Sequence, residues 1–184
     1  LPVQPATESR PLFGADLSSP PLTEPLAQMF QSFMSVGKVP AAWKLAIIKP
    51  LFKKGASSDP ANYRPVSLTS VFSKLMEKVV VDELLKYLLL NKFITKQQHG
   101  FLSRKSTATN LLESLNDWTL SIENKVGISI AYIDFAKALD SVNHNKLKAK
   151  LISYGIGGNL LLWIIDFLSC RRLQTIVGNC LSSV

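Results

Sequence analysis

The strongest constraint on the fold is an apolar stripe between Val71 and Leu88. The residues of the stripe recur at the spacing of an α-helix, which places them on one side of it. They are Val71, Phe72, Leu75, Met76, Val79, Val80, Leu84, Tyr87 and Leu88, with Lys74, Lys78, Asp82 and Lys86 opposite. A helix with so wide a stripe must bury it against other elements, so we expect a globular domain, or part of one.

Further helices and a few strands are predicted around this helix. One helical pattern runs from Thr23 to Gly37, and another begins just after Ser106-Thr107. A further pattern ends at Gly155, and the last runs from Asn159 to Leu168. The stretch from Leu45 to Phe52, together with the polar segment after it, predicts an irregular hairpin, and RLQTIVGN predicts a later strand. Because helices and strands do not alternate one for one, the pattern indicates an α+β fold.

The segment GISIAYID, residues 127–134, alternates in the manner of a strand. Ile128, Ile130, Tyr132 and Asp134 would project to one side, so an apolar strand face ends in a carboxylate. An aspartate at a strand end is most often structural, because it caps a turn or pairs with a lysine. A catalytic interpretation of Asp134 therefore needs support from its surroundings.

The charge of the chain favours phosphate-rich partners. Its formal net charge is +8, and its isoelectric point is about 9.6. The cations cluster at Lys49, Lys53 and Lys54, at Arg104 and Lys105, at Lys146, Lys148 and Lys150, and at Arg171 and Arg172. A solvated surface explains any one of these clusters equally well, so charge alone does not decide the function.

Other features exclude several classes of protein. Cys170 and Cys180 are too far apart for a redox pair, and free thiols in a reducing compartment are expected. The longest apolar run, Leu160 to Ile165, is well short of the ~20 residues that span a bilayer. Residues 1–21 are rich in proline and predict a linker. We expect an intracellular protein of the cytoplasm and nucleus.

Four stretches in a fixed order resemble the reverse transcriptases of non-LTR retrotransposons, in their jockey-like form. YIDFAKALDSVNHNKL resembles the first catalytic motif of that family. VPAAWKLAIIKPLFKKG with DPANYRPVSLTSVFSKLMEKVV, and QHGFLSRKSTATNLLESLNDW, resemble its two fingers motifs. YGIGGNLLLWIIDFLSCRRLQTIVGN resembles the segment that follows the catalytic aspartate. The likeness runs from about residue 22 to the end.

The resemblance implies a two-metal polymerase site at the first catalytic motif. Asp134 would be the catalytic residue and would bind two Mg²⁺ ions, and the backbone carbonyl of Phe135 would complete one coordination sphere. Leu139 stands where the family normally has an aromatic residue that blocks a ribose 2′-hydroxyl, which puts sugar selection in doubt. Asp140 fits the family pattern and is expected to orient the turn.

The resemblance also implies contacts to nucleotide and template. Arg64 and one of Lys53 or Lys54 would bind the triphosphate of the incoming nucleotide, although Arg64 could instead pair with Asp59 or Asp82. The implied template-binding residues are Gly100, Phe101, Arg104 and Ser106. His99 and His144 are too isolated for a zinc site and are expected to make local hydrogen bonds.

Two further motifs of the family do not occur in the sequence. These are a Gly-Val-Pro-Gln-Gly-like loop and a Tyr-x-Asp-Asp hairpin, so two of the three metal-binding carboxylates are missing. The expected organisation is a right-hand polymerase with a small antiparallel sheet: a lead-in at 1–21, fingers at 22–126 and a partial palm at 127–184.

The leading hypothesis is an RNA-directed DNA polymerase that acts only in a longer parent protein. It would use an RNA template, a DNA primer and deoxynucleoside triphosphates, an upstream endonuclease domain could precede it, and the present chain alone should be inactive. The alternative is a non-catalytic remnant that still binds nucleic acid. A helical interaction module is a third hypothesis, against which the four ordered motifs argue.

Overall fold

The computed structural model describes residues 23–135 and 137–183, so the predicted linker at 1–21 lies outside the described residues. The helices are α1 (Thr23–Val36), α2 (Val71–Leu90), α3 (Thr107–Glu123), α4 (His144–Ser153) and α5 (Gly158–Leu168). The strands are β1 (Leu45–Phe52), β2 (Tyr63–Leu68), β3 (Arg172–Val177) and β4 (Cys180–Leu181). Two short 3₁₀ helices occupy Ala41–Lys44 and Pro60–Asn62. No helix in the described ranges is long and apolar enough to cross a bilayer.

The described residues form two compact units. The first unit contains the residues up to Tyr87 and those from Asn143 onward, and the second contains Leu88–Val142. All four described strands therefore belong to the first unit. These two units do not correspond to the predicted fingers (22–126) and palm (127–184), which stay a prediction.

The core of the first unit is where the helical stripes meet. Its buried side chains are Phe30, Met34, Val39, Trp43, Met76, Val80 and Trp163. The ring of Trp43 lies edge-on to Phe33, with 5.2 Å between ring centroids, and to Phe30, at 6.2 Å. Such edge-to-face contacts add to the free energy gained from burial. The predicted stripe of α2 is buried only in part: Met76 and Val80 lie in this core, whereas Val71, Phe72 and Leu75 are exposed.

The sheet has the strand order β2-β1-β3-β4. β1 and β2 form the predicted hairpin, with Leu51 opposite Arg64 and Ile47 opposite Leu68. β3 and β4 also pair antiparallel, whereas β1 and β3 run parallel, with Leu45 beside Arg172. The α+β class is confirmed, but the expectation of an antiparallel sheet was wrong: the sheet is mixed, because the chain returns to β1 through helices instead of a tight turn.

Position 37, which follows α1, requires a glycine for two physical reasons. Its φ of +65° is in the left-handed region that glycine adopts without strain. A Cβ at this position would lie 2.7 Å from the Cβ of Leu162 in α5, which is closer than carbon atoms approach. The predicted end of the helix is confirmed, and the same glycine allows α5 to pack closely.

The predicted strand at 127–134 does not form. These residues are exposed and belong to no helix or strand, and Tyr132 is 86% exposed. Alternation can create an apolar face, but a strand also needs a neighbouring strand to receive its backbone hydrogen bonds. None of the four described strands pairs with this segment. The strand prediction was therefore wrong for the described chain, because it considered side chains alone.

Asp166 ties α5 to the segment that follows α1. One carboxylate oxygen accepts from Lys38 Nζ at 3.2 Å, and the other accepts from Lys44 Nζ at 2.9 Å and from the backbone N–H of Val39 at 2.8 Å. Partial burial of the carboxyl raises its pKa, but the hydrogen bonds from Lys44, Val39 and Lys38 together hold the pKa below its ordinary value of 3.8.

We expect Met76→Ala to lower the free energy of unfolding by about 2–5 kcal/mol, because Met76 is fully buried and its loss leaves a cavity. Leu90→Ala on the same helix is the control, since Leu90 is 82% exposed and should change stability by no more than about 0.5 kcal/mol. Urea unfolding followed by circular dichroism measures both variants. Equal effects would contradict the core described above.

We expect Asp166→Asn to lower the free energy of unfolding by about 1–2 kcal/mol at neutral pH, because it removes charge-assisted hydrogen bonds that solvent partly screens. Because the folded-state pKa is lowered, this contribution is present above the unfolded value of 3.8 and is lost as the pH falls through the folded pKa. Thermal melts from neutral to strongly acidic pH should show the difference between variant and wild type shrinking. Asp82→Asn, which removes an exposed pair with Lys78, is the control and should cost less.

Candidate functional site

The β1–β2 hairpin carries the predicted nucleotide-binding cations. Lys53 and Lys54 follow β1 directly, and Arg64 lies in β2. The backbone N–H of Lys53 donates to the carbonyl of Asn62 at 2.8 Å, which closes the hairpin loop. All three cations are exposed to solvent. The structure therefore brings Lys53, Lys54 and Arg64 together on one hairpin, as the sequence analysis expects.

The hairpin loop is held by its own hydrogen bonds. The side-chain amide of Asn62 donates to the carbonyl of Ala56 at 3.0 Å, and the hydroxyl of Tyr63 donates to the carbonyl of Ser57 at 2.9 Å. Gly55 has a φ of +93°, and a Cβ there would lie 2.7 Å from the amide of Asn62. The loop that follows the lysines is thus fixed before any ligand arrives.

Arg64 forms no salt bridge with Asp59 or Asp82, the two carboxylates considered in the sequence analysis. The Asp59 side chain accepts from the N–H of Ala61 at 2.9 Å, and Asp82 pairs with Lys78 at 3.2 Å. Within the described ranges Arg64 has no salt bridge, so the structural alternative for this residue was wrong. An exposed guanidinium without a carboxylate partner is suited to a bidentate anion such as a phosphate.

One face of the sheet gathers cations that are scattered along the sequence. Lys49 lies two residues before Leu51, the register partner of Arg64, so Lys49 and Arg64 project from the same face. Arg172 lies beside Leu45, which shares that face with Lys49. The sequence grouped Arg172 with its neighbour Arg171. Only the strand register could have placed it with the hairpin cations.

The predicted template-binding residues lie in the loop that leads into α3. Ser106 is the N-cap of α3: its hydroxyl accepts from the N–H of Thr109 at 3.1 Å, and Thr109 Oγ1 accepts from the N–H of Ser106 at 2.8 Å. Phe101, which follows Gly100, and Arg104 both have a φ of +62°, and Phe101 is 90% exposed. Ser106 thus has a structural role, whereas Phe101 and Arg104 are held outward.

His99 anchors the beginning of this loop. Its Nδ1 lies 2.9 Å from Thr109 Oγ1, and its Nε2 lies 2.7 Å from Glu113 Oε2. His99 makes hydrogen bonds as expected, but they are not local, because its partners on α3 follow it by ten and fourteen positions. Thr109 and Glu113 are four residues apart on one helix face, which is a signal that could have identified them.

The predicted catalytic residues lie in the irregular segment after α3. Asp134 is exposed, Phe135 is 74% exposed, and Leu139 is 78% exposed within the turn that precedes α4. The carboxylate of Asp134 and the carbonyl of Phe135 are hard oxygen donors of the kind that Mg²⁺ prefers, so they fit part of a metal site. The described part of the chain contains no group of three or more His, Cys, Asp or Glu side chains that could hold a metal ion.

The two sets of predicted residues belong to different units. Lys53, Lys54 and Arg64 are in the first unit, and the loop with Arg104 and the segment with Asp134 are in the second. Within each unit the side chains are exposed and carry the charge that their proposed ligands require. A metal-binding carboxylate and phosphate-binding cations are the chemistry that the chain offers.

Comparison with known proteins gives a consistent result. The family model of reverse transcriptase (RNA-dependent DNA polymerase) matches residues 51–182, a span that includes the hairpin cations, the loop before α3 and Asp134. The RNA-directed DNA polymerase from mobile element jockey of Drosophila melanogaster is 34% identical over 162 residues, which cover 86% of this chain and 17% of the relative.

Two further relatives extend this comparison. The jockey polymerase of Drosophila funebris is 29% identical over 160 residues, 86% of this chain and 17% of the relative. The probable RNA-directed DNA polymerase from transposon BS of Drosophila melanogaster is 28% identical over 127 residues, 68% of this chain and 14% of the relative. The chain thus spans less than a fifth of the length of each of these relatives. Because the family model matches most of its residues, the chain belongs to the reverse transcriptase (RNA-dependent DNA polymerase) family, in the branch found in non-LTR retrotransposons.

Proposed function

We propose that this chain supplies the fingers and the first catalytic carboxylate of an RNA-directed DNA polymerase, with Asp134 as the catalytic residue. The observation that supports the proposal best is the position of Asp134. It is an exposed carboxylate at the end of an apolar alternating segment, inside the span matched by the family model. Nucleotidyl transfer needs such a carboxylate, because it must hold cations against two negatively charged substrates.

Reverse transcriptases use divalent metal ions, and we assign Mg²⁺ to this site. The carboxylate of Asp134 and the carbonyl of Phe135 would hold it. When bound, two such ions lower the pKa of the primer 3′-hydroxyl and stabilise the charge on the departing pyrophosphate. Asp134 itself would contribute a negative charge that binds such cations. The further carboxylates that the family requires would come from the rest of a parent protein.

The hairpin cations would bind the triphosphate of the incoming deoxynucleotide. Arg64 is exposed without a carboxylate partner, and Lys53 begins a loop that is closed by backbone and side-chain hydrogen bonds. Charge-assisted hydrogen bonds from Arg64 and from Lys53 or Lys54 neutralise phosphate oxygens. Because the loop is already ordered, little conformational entropy is lost when the nucleotide binds.

The loop before α3 would contact the RNA template. Gly100 allows a close backbone approach, Arg104 offers a cation to a phosphate, and Phe101 offers an exposed ring to a base. Ser106 would act indirectly, because its side chain caps α3. Arg104 would thus position the strand through its phosphates, whereas Phe101 would stack on a base.

The wider organisation of the protein follows the same proposal. Residues 22–126 would form the fingers, 127–184 a partial palm, and 1–21 a lead-in from an upstream region that could hold an endonuclease domain. β3 comes from the proposed palm range but pairs with β1 of the proposed fingers, so we extend the fingers sheet to include it. A protein that copies RNA into DNA at chromosomal targets would work in the cytoplasm and nucleus.

A second candidate function is a remnant that binds nucleic acid without polymerising. The specific observation in its favour is Leu139, which occupies the position where the family normally has an aromatic residue. Loss of sugar selection would be tolerated in a copy that no longer synthesises DNA. The exposed cations would still bind phosphates in such a remnant.

We expect Asp134→Asn to reduce primer extension on an RNA template by more than about 10³-fold, because a neutral amide holds Mg²⁺ much more weakly than a carboxylate does. The assay uses the longer protein that contains this chain, with Asp117→Asn on the exposed side of α3 as the matched control. The 184-residue chain by itself should give no extension. Full activity of Asp134→Asn would rule out the catalytic assignment, whereas an inactive wild-type protein that still binds primer–template would favour the remnant.

We expect Leu139→Phe to increase the preference for deoxynucleotides over ribonucleotides by about tenfold, since a larger ring leaves less room beside the ribose 2′-hydroxyl. The ratio of kcat/KM for the two nucleotides measures the effect in the same longer protein. Leu111→Phe makes an identical change at an exposed position of α3 and should leave the ratio unchanged. An unaltered ratio in Leu139→Phe would mean that residue 139 does not contact the sugar.

A further inference from the structure

His99 is unusual because it is the one buried residue among the described residues of the second unit. Only 7% of it is exposed, whereas Leu111 and Ile122 of α3 are more than half exposed. An imidazole is costly to bury unless its nitrogens are hydrogen-bonded, and a leucine would fill the same space without that cost. The polar character of this position therefore requires an explanation.

Both ring nitrogens of His99 are used. An ionised carboxylate can only accept, so Nε2 donates to Glu113 at 2.7 Å. Nδ1 lies 2.9 Å from the hydroxyl oxygen of Thr109, whose own proton points to the carbonyl of Ser106. The ring is thus fixed in position and in rotation against one face of α3.

Both ends of the loop between His99 and α3 are hydrogen-bonded to Thr109. His99 bonds Thr109 at the beginning of the loop, and Ser106 exchanges hydrogen bonds with Thr109 at its end. Lys105 Nζ also donates to the carbonyl of Lys96 at 2.7 Å, which draws the end of the loop back to the segment before His99. The loop from residue 100 to 105 is consequently a short closed structure.

Two residues inside this closed loop have a strained backbone. Phe101 and Arg104 both have a φ of +62°, although neither is a glycine. Left-handed conformations at such residues persist only where the surrounding contacts enforce them, and they occur often at functional sites. The bonds of His99 and Ser106 to α3 hold both ends of the loop that contains these two residues, and Phe101 and Arg104 are both exposed.

We infer that His99 is a positioning residue for the template strand: by locking the loop onto Thr109 and Glu113, it holds Phe101 and Arg104 ready for single-stranded RNA. The inference rests on the proposed function, because it assumes that this loop contacts nucleic acid. A flat ring beside a cation is the combination that single-stranded nucleic acids use, with stacking on the ring and phosphate contact to the cation. Preorganisation of both groups removes an ordering cost from the binding step.

The test measures binding of a labelled single-stranded RNA to the 184-residue chain by fluorescence anisotropy. His99→Leu fills the space but removes both hydrogen bonds, and it should weaken binding about tenfold, because two side chains must then be ordered by the ligand. His99→Gln keeps a donor to Glu113 and should recover much of that loss. His144→Leu makes the same change at the other, exposed histidine and should leave the affinity unchanged.

A double-mutant cycle separates positioning from general stability. Arg104→Ala weakens binding by removing the phosphate contact, and His99→Leu should add much less to the loss in that background, because most of its effect acts through the lost residue. Thermal melts followed by circular dichroism report whether His99→Leu remains folded. If it does not, Glu113→Ala removes one bond from the half-exposed side and should show a smaller loss with the same dependence on Arg104.

The outcomes are distinguishable. If wild-type chain binds RNA and His99→Leu stays within twofold of it, or loses the same factor with and without Arg104, the positioning role is refuted while the proposed function stands. If wild-type chain does not bind RNA at any salt concentration, the proposed function fails and this inference fails with it. A loss that depends on Arg104 and is recovered by His99→Gln supports the inference.

Discussion

The parallel pairing of β1 with β3 is the constraint on which the first unit depends. It joins a strand from the beginning of the described chain to one near its end, with Ala46 beside Leu173. A parallel pair cannot be closed by a tight turn, so helices must carry the chain from one strand to the other. Asp166 reinforces the closure, because α5 is held to the segment before β1 by its hydrogen bonds with Lys38, Val39 and Lys44.

Much of the fold could be predicted from local patterns, because those patterns record contacts that lie close in sequence. The buried centre of α2, the glycine at position 37 and the β1–β2 hairpin are all of this kind. The parallel register was not predictable in this way, since no local feature of Leu45 or Arg172 specifies the other. For the same reason the face that Arg172 shares with Lys49 and Arg64 emerged only from the structure.

The candidate site shows the same division between local and distant information. Lys53, Lys54 and Arg64 lie on one hairpin, whose two strands are close in sequence, although their assignment to the nucleotide stays a prediction. Asp134 was expected at the end of a strand, and that expectation failed because a strand is a property of a pair of segments. His99 was overlooked as a structural anchor because its partners follow it by ten and fourteen positions, outside the range of turn and capping patterns.

The β1–β3 pairing has a consequence for synthesis of the protein. A chain that leaves the ribosome from its amino end produces β1 early and β3 only after four helices have followed. During that interval one edge of β1 carries unpaired N–H and carbonyl groups next to exposed apolar side chains such as Leu51, which is a template for association with other chains. Contacts so distant in sequence also slow folding, since a long loop must close before they form. The β3-facing edge of β1 therefore stays open to other chains until the last strands have been made.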